Sequence, residues 1–175
     1  GSELNETVTI TADSSGMITL YSGTQPMGQG IATSYLQIFS EQLQIPVNQL
    51  KVVQGDTDLV EGHGSVGSRS LFVGGNAILR GIEDFLEECK QLAASELEAS
   101  VEDLEYHQGD FQVKGTRVGI GIFDLCSRQS GNSISVKRKK ELTGRSWPNG
   151  CHVAEVEIDA ETGEVRLDRY VSVDD

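Results

Sequence analysis

Val8-Thr9-Ile10-Thr11-Ala12-Asp13-Ser14-Ser15-Gly16-Met17-Ile18-Thr19-Leu20-Tyr21 decides the fold class, read together with the adjoining stretch from Ser22 to Leu43. Val8 to Thr11 alternates apolar and polar residues, Asp13 to Gly16 has turn composition, and Met17 to Tyr21 alternates again, which predicts a β-hairpin. After Gly23-Thr24-Gln25-Pro26-Met27-Gly28-Gln29-Gly30 the period changes. Ile31, Tyr35, Ile38 and Phe39 fall on one helical face, widened by Ala32, Leu36 and Leu43. Ile78, Ile82, Phe85, Leu86, Cys89, Leu92 and Ala93 repeat that spacing in a second long helix. Leu50 to Val53 reads as a short strand between the helices, and Ile120 to Cys126 as a shorter helix. Two more hairpins share the grammar of the first. One turns at Gln108-Gly109-Asp110 within Leu104 to Val113, and the other runs from Val153 through Glu161-Thr162-Gly163 to Val165-Arg166-Leu167. Ser127 to Asn149 is polar and reads as a loop. The expected architecture is α+β: a two-layer sandwich in which a mostly antiparallel or mixed sheet of hairpins is packed by two long helices.

Composition narrows the function. The 175 residues suit one folded domain, with 37% hydrophobic and 23% charged residues as in ordinary globular chains. Acidic residues number 27 against 14 basic ones, a formal charge of −13, which argues against general binding to nucleic acid or an anionic membrane. No apolar run approaches the ~20 residues of a membrane span, and no signal peptide is recognisable, so a cytoplasmic location is expected. Gly1-Ser2 reads as the remnant of a removed tag, and a chain stopping within a strand pattern reads as part of a longer protein. Cys89, Cys126 and Cys151 lack metal-ligand or disulfide spacing and read as reduced core thiols.

Glycine is in excess, at 20 residues, and eight of these lie within Gly23 to Gly30 and Gly62 to Gly75. The first window opens the first helix, where free N–H groups and a partial positive charge suit an anionic or carbonyl-bearing ligand. Gly28 and Gly30 leave the main chain approachable, and Gln29 offers a donor and an acceptor. In the second window, Gly62, Gly64 and Gly67 formally satisfy G-x-G-x-x-G. The intervening Gln54-Gly55-Asp56-Thr57-Asp58-Leu59-Val60-Glu61 and the hairpin start nevertheless exclude a Rossmann context. Ser65, Ser68, Arg69 and Ser70 make this loop rich in donors, which suits a phosphate. Each window read alone is also compatible with a plain structural loop; together they could clasp one extended ligand.

Gly28-Gln29-Gly30 at a helix start, Gln54-Gly55-Asp56-Thr57, and Gly67-Ser68-Arg69-Ser70-Leu71 occur in an order and spacing that resemble one family. It is the molybdenum-binding large chain of the xanthine dehydrogenase, aldehyde oxidase and carbon monoxide dehydrogenase group. Trp147-Pro148-Asn149-Gly150-Cys151-His152-Val153-Ala154-Glu155-Val156-Glu157-Ile158-Asp159 with Glu161-Thr162-Gly163 adds a fourth collinear match, and the likeness spans nearly all of residues 5–175. It implies one molybdopterin-binding domain or subdomain over residues 3–175. Within it, Met27, Gly28, Gln29, Gly30, Thr33, Gly67, Ser68, Arg69 and Ser70 would contact the cofactor, with Arg69 at a position that varies among relatives.

The resemblance further implies molybdopterin in its cytosine dinucleotide form, with iron–sulfur clusters and FAD on other domains or subunits. The partners would be the rest of the same large subunit, the iron–sulfur and flavin subunits, and a small-molecule substrate: an aldehyde, an N-heterocycle or carbon monoxide, hydroxylated with oxygen from water. The family's catalytic glutamate belongs to a motif downstream of the last hairpin, so the segment alone is expected to be inactive and to bind no metal through side chains. Glu155, Glu157, Asp159 and Asp168 read as ordinary strand carboxylates, and His63 as a residue near the cofactor rather than a ligand to metal. Trp147-Pro148 reads as a turn anchored in the core, and Lys137-Arg138-Lys139-Lys140 as a solvated loop or a contact with the remainder of the protein. Two other readings stay open: a non-catalytic module for a phosphorylated small molecule, and a subunit-assembly domain.

Overall fold

The computed structural model describes residues 4–144, 147 and 149–174. Gly1-Ser2 and Pro148, which the sequence reading had singled out, lie outside the described residues. The chain divides into two compact units, Gly1–Thr143 and Gly144–Asp175.

In the first unit the elements run β1 (Asn5–Asp13), β2 (Ile18–Ser22), α1 (Ile31–Leu43), β3 (Leu50–Gln54), α2 (Gly75–Glu96), β4 (Leu104–His107), β5 (Asp110–Val113), β6 (Gly119–Gly121), α3 (Ile122–Arg128) and β7 (Ser133–Glu141). The main sheet has the order β3-β2-β1-β7. β1 is antiparallel to β2 and β7, whereas β3 is parallel to β2, so β2-α1-β3 is a crossover unit rather than a hairpin. Val8, Ile10 and Ala12 of β1 and Ile18 and Leu20 of β2 point to one face and are fully buried. They are covered by Tyr35, Phe39 and Leu43 of α1 and by Ala77, Ile78, Phe85 and Cys89 of α2. Period 2 in the strands meets period 3.6 in the helices, and the result is the expected α+β packing. A small β4-β5-β6 sheet closes the far end of α1, where the Tyr106 hydroxyl donates to the Leu43 carbonyl.

The polar stretch read as a loop between Ser127 and Asn149 contains β7, which pairs with β1 from Asn5↔Glu141 to Asp13↔Ser133. β7 is an edge strand; Ser133 to Val136 alternates with Ile134 buried, but the Lys-rich stretch that follows, of a kind that resists unwanted pairing at an edge, carries no apolar alternation. The basic run 137–140 is therefore strand rather than solvated loop, and Arg138 forms a two-pronged ion pair with Asp84 of α2.

The second unit is a two-stranded ribbon, β8 (Gly150–Ile158) and β9 (Val165–Asp174), with a bulge between Glu155 and Val156. A ribbon of two strands has no second layer of its own. Trp147, expected as a core anchor, is accordingly 75% exposed, and Cys151, expected in a core, is exposed as well. Among the described residues no helix is long and apolar enough to cross a membrane.

Cys89 and Cys126 are buried, as read from the sequence. Burial pushes the Cys89 thiol far above its ordinary range and that of Cys126 up to about 11. Both thiols thus stay protonated in the folded state, and the stability this gives is full below about pH 9 and declines as pH rises from there through 11. At pH 8 a thiol reagent is expected to modify one cysteine per chain, Cys151, within minutes, and all three in denaturant. Rapid modification of Cys89 or Cys126 in the native protein would contradict this packing.

Candidate functional site

β2 and β3 lie side by side and parallel, ending in the pair Ser22↔Gln54. Each strand leads from its carboxyl end through a glycine-rich loop into a helix, and in open α/β arrangements that edge is where ligands bind. The two windows therefore meet although they are far apart in sequence. The meeting is backbone against backbone: a Cβ placed on Gly62 would lie 2.6 Å from the Gly23 carbonyl carbon, and closer still to its Cα. Gly64 N–H donates to the Gly23 carbonyl at 3.1 Å. The Ser65 hydroxyl accepts from Gln25 N–H at 2.9 Å and donates to the Gln25 carbonyl at 2.7 Å. Below this seam, Gln54 Nε2 donates to the Thr24 hydroxyl at 2.6 Å, joining the two strand ends.

A cavity of about 380 Å³ opens beside the seam, lined from the first window by Met27 and Gln29 and from the second by Gly67, Ser68 and Ser70. Five of the nine residues singled out in the sequence thus share one cavity, which Ser34, Ser65, Val66 and Leu71 help to line. Met27 is 61% exposed, and Val66 and Leu71 are also exposed, which gives the cavity an apolar rim over hydroxyls. Gly28, Gly30 and Thr33 are not among its lining residues; they form the exposed turn into α1 and its first turn. Gly30 is the N-cap of α1 with φ 72°, a left-handed conformation natural to glycine, and no side chain caps the helix there. The start of the Ser70–Gly74 π turn that feeds α2 has no side-chain cap either.

Two residues behave differently from their expected parts. Gln29 turns its amide back on its own loop: Oε1 accepts from Met27 N–H at 2.6 Å and Nε2 donates to the Gln25 carbonyl at 3.0 Å. It shapes the loop from within. Arg69 is only 3% exposed and faces the protein interior. Its guanidinium donates to Glu6 Oε2 at 2.8 Å, to the Gly64 carbonyl at 2.7 Å and to the Asn5 carbonyl. Glu6 is itself buried, and its other oxygen accepts from Thr7 N–H at 3.2 Å. This pair ties the start of β1 to the second window. Sequence reasoning missed it, because Glu6 falls at an inward position of β1 where an apolar residue is the rule; a carboxylate at such a position is the one signal that could have exposed it.

On the other side of the seam a cavity of about 360 Å³ is lined by Ser22, Thr24, Gln25, Asp56 and Thr57 with several glycines. His63 lies in a smaller pocket with Asn5, Glu61 and Lys139. Glu155, Glu157, Asp159 and Asp168 are exposed on or beside the β8–β9 ribbon, as read from the sequence. Among the described residues no three His, Cys, Asp or Glu side chains are grouped so as to hold a metal ion.

The sequence profile of the molybdopterin cofactor-binding domain matches residues 1–175. The chain belongs to that family. It is 30% identical to the 6-hydroxypseudooxynicotine dehydrogenase complex subunit gamma of Paenarthrobacter nicotinovorans, over 97% of this chain and 23% of that protein. It is 31% identical to the carbon monoxide dehydrogenase large chain of Hydrogenophaga pseudoflava, over 87% of this chain and 20% of the other. Among solved structures, the Cu,Mo-CO dehydrogenase in its carbon monoxide-reduced state superposes with a TM-score of 0.81 at 26% identity, covering 97% of this chain and 22% of that one. The chain spans about a fifth of the length of these relatives. The four collinear motifs had pointed to this group.

Proposed function

We propose that this chain is the part of a molybdenum hydroxylase large subunit that cradles the pterin of the molybdenum cofactor, through Met27, Gly28, Gln29, Gly30 and Thr33 on one side and Gly67, Ser68, Arg69 and Ser70 on the other. The observation that carries the reading is the cavity shared by the two glycine windows. No carboxylate is among its described lining residues, in a chain whose formal charge is −13. An anion meets little repulsion there, and two helix starts without side-chain caps leave N–H groups at its edge. The apolar rim of Met27, Val66 and Leu71 suits a flat ring system, and the Ser34, Ser68 and Ser70 hydroxyls suit its polar edges or phosphate. The residues thus fit a phosphorylated pterin. Gln29 serves by holding the first loop in shape, and Arg69 by holding the second from behind.

The bound group would supply molybdenum redox chemistry, oxidising a small aldehyde, N-heterocycle or carbon monoxide. The names of the relatives support that class and leave several substrates open. Within the proposal, the cofactor is the cytosine dinucleotide form, the iron–sulfur clusters and FAD sit on other domains or subunits, and the holoenzyme is cytoplasmic. The residues of this chain bind and orient; none is assigned a catalytic part, and the segment alone is expected to turn over no substrate.

In the intact gene product, Gln29→Ala and Ser68→Ala are expected to lower molybdenum and pterin content per subunit several-fold while the circular dichroism spectrum is kept. Metal analysis and pterin fluorescence after oxidation measure both. Unchanged content in both variants would remove the proposal, and an unoccupied but phosphate-responsive protein would favour the module reading.

A further inference from the structure

Tyr35 has a polar task within an apolar helix face. It is fully buried among the core residues of α1, yet its hydroxyl donates to the Ser70 carbonyl at 2.5 Å. The Ser22 and Thr24 hydroxyls flank it, and they are joined to each other at 2.9 Å and through Thr24 to Gln54. Gly74, at the end of the π turn, makes room for the ring: a Cβ there would lie 2.9 Å from Tyr35 Cζ, and nearer still to its hydroxyl oxygen. Burial, the largest influence on the phenol, raises its pKa, so it remains a donor at any physiological pH. One π turn between Ser70 and Gly74 thus carries two hydroxyl-bearing neighbours at its start, Ser68 and Ser70; Tyr35 holds its first carbonyl, and Asn76 Nδ2 donates to its Phe72 carbonyl at 2.7 Å. π turns within helices are frequent at functional sites, where the altered ladder re-aims side chains.

We infer that Tyr35 is a positioning residue for the shared cavity: its hydroxyl fixes the Ser70 carbonyl and so sets where the Ser68 and Ser70 hydroxyls stand. The inference rests on the cofactor reading proposed for the cavity, and it extends that reading to a residue that does not line it. A Phe at this position keeps the ring in the core and removes only the hydrogen bond.

The test uses the intact subunit with Tyr35→Phe and, separately, Ser68→Ala and Gln29→Ala. Hydrogen exchange over residues 75–78 is followed in the cofactor-free protein, and the rate of pterin release in the loaded one. In the wild type, the amides from Gly75 on, the first of which donates back to the Leu71 and Phe72 carbonyls of the turn, should be protected before any cofactor is bound; an unprotected turn overturns the inference. Tyr35→Phe should speed their exchange roughly tenfold, the size expected for losing one buried hydrogen bond, and speed pterin release several-fold. A role confined to packing would leave release at the wild-type rate, and that outcome overturns the inference. If neither Ser68→Ala nor Gln29→Ala changes pterin release or content, the cofactor reading itself falls. If Ser68→Ala speeds release and Tyr35→Phe does not, only the positioning role falls.

Discussion

Replacing Arg69 with Met will destabilise the fold by about 3–5 kcal/mol, the cost of leaving one member of a buried ion pair without its partner. The side chains of Arg69 and Glu6 are 2% and 0% exposed, so water cannot take over the lost interaction. Met fills much of the volume of the arginine stem, which confines the effect to charge and hydrogen bonding. For a protein of this size that loss corresponds to a fall in Tm of roughly 10 °C or more. Glu6→Gln is expected to be costly for the same reason, because it keeps the shape and leaves the guanidinium charge uncompensated. The double variant Glu6→Leu/Arg69→Met should recover part of the loss, since two apolar groups replace a pair whose desolvation was itself unfavourable. Recovery will be incomplete, because the Gly64 and Asn5 carbonyls lose their donor. Urea unfolding of the four proteins checks this. If the single variants lose less than about 1 kcal/mol, a range typical of exposed pairs, the pair does not hold the second window in place.

Gly62→Ala is the second large effect, and Gly75→Ala in the same window should not share it. At Gly62 a methyl would meet the main chain of Gly23 on three atoms, and at Gly23 it would meet the Gly62 main chain, Glu6 Oε1 at 2.6 Å and the Glu61 carbonyl at 2.8 Å. No flexible side-chain end is available to yield against the Gly23 backbone, so the two loops must part. Overpacking of this kind costs about 1–3 kcal/mol and occasionally more. Parting the loops also opens the shared cavity, so pterin content in the intact subunit should fall at least tenfold. Gly75 lies in the right-handed helical region at the start of α2, and a methyl there meets Ile38 and Leu71 at 3.6 and 3.8 Å, ordinary contact distances. Alanine is the better helix former by about 1 kcal/mol, so Gly75→Ala should be neutral or stabilising. Thermal unfolding and pterin analysis separate the two outcomes. Equal effects at Gly62 and Gly75 would mean that the close approach of the loops is not what the glycines serve.

The elements that could be read from the chain were those with a strong local period. Ile31-Tyr35-Ile38-Phe39 and the longer series from Ile78 to Ala93 gave both helices, and the alternation around Val8 to Tyr21 gave the first hairpin, because one face of each is buried. β7 was missed, since its inner face is marked only by Ile134 and Val136 before Lys137, Arg138, Lys139 and Lys140 end the apolar alternation. The parallel pairing of β3 with β2 could not be read either; strand partners far apart in sequence leave no mark in a local pattern. Trp147 and Cys151 were misplaced for the converse reason. They look like core residues by type, but their ribbon has nothing of its own to bury them under.

The sequence by itself determined the two glycine windows, the helices they open, and a donor-rich composition suited to a phosphorylated ligand. These are local properties: backbone freedom, hydroxyl content and helix starts are written in consecutive residues. Only the tertiary structure decided that the windows touch at Gly23 and Gly62, that Gln29 folds back on its loop, and that Arg69 turns inward to Glu6 while Tyr35 reaches Ser70. Apart from the Gln29 bonds, which stay within its own loop, these contacts join segments far apart in the chain. Their free energy depends on burial and on close approach, and neither exists until the sheet and its two helices have come together.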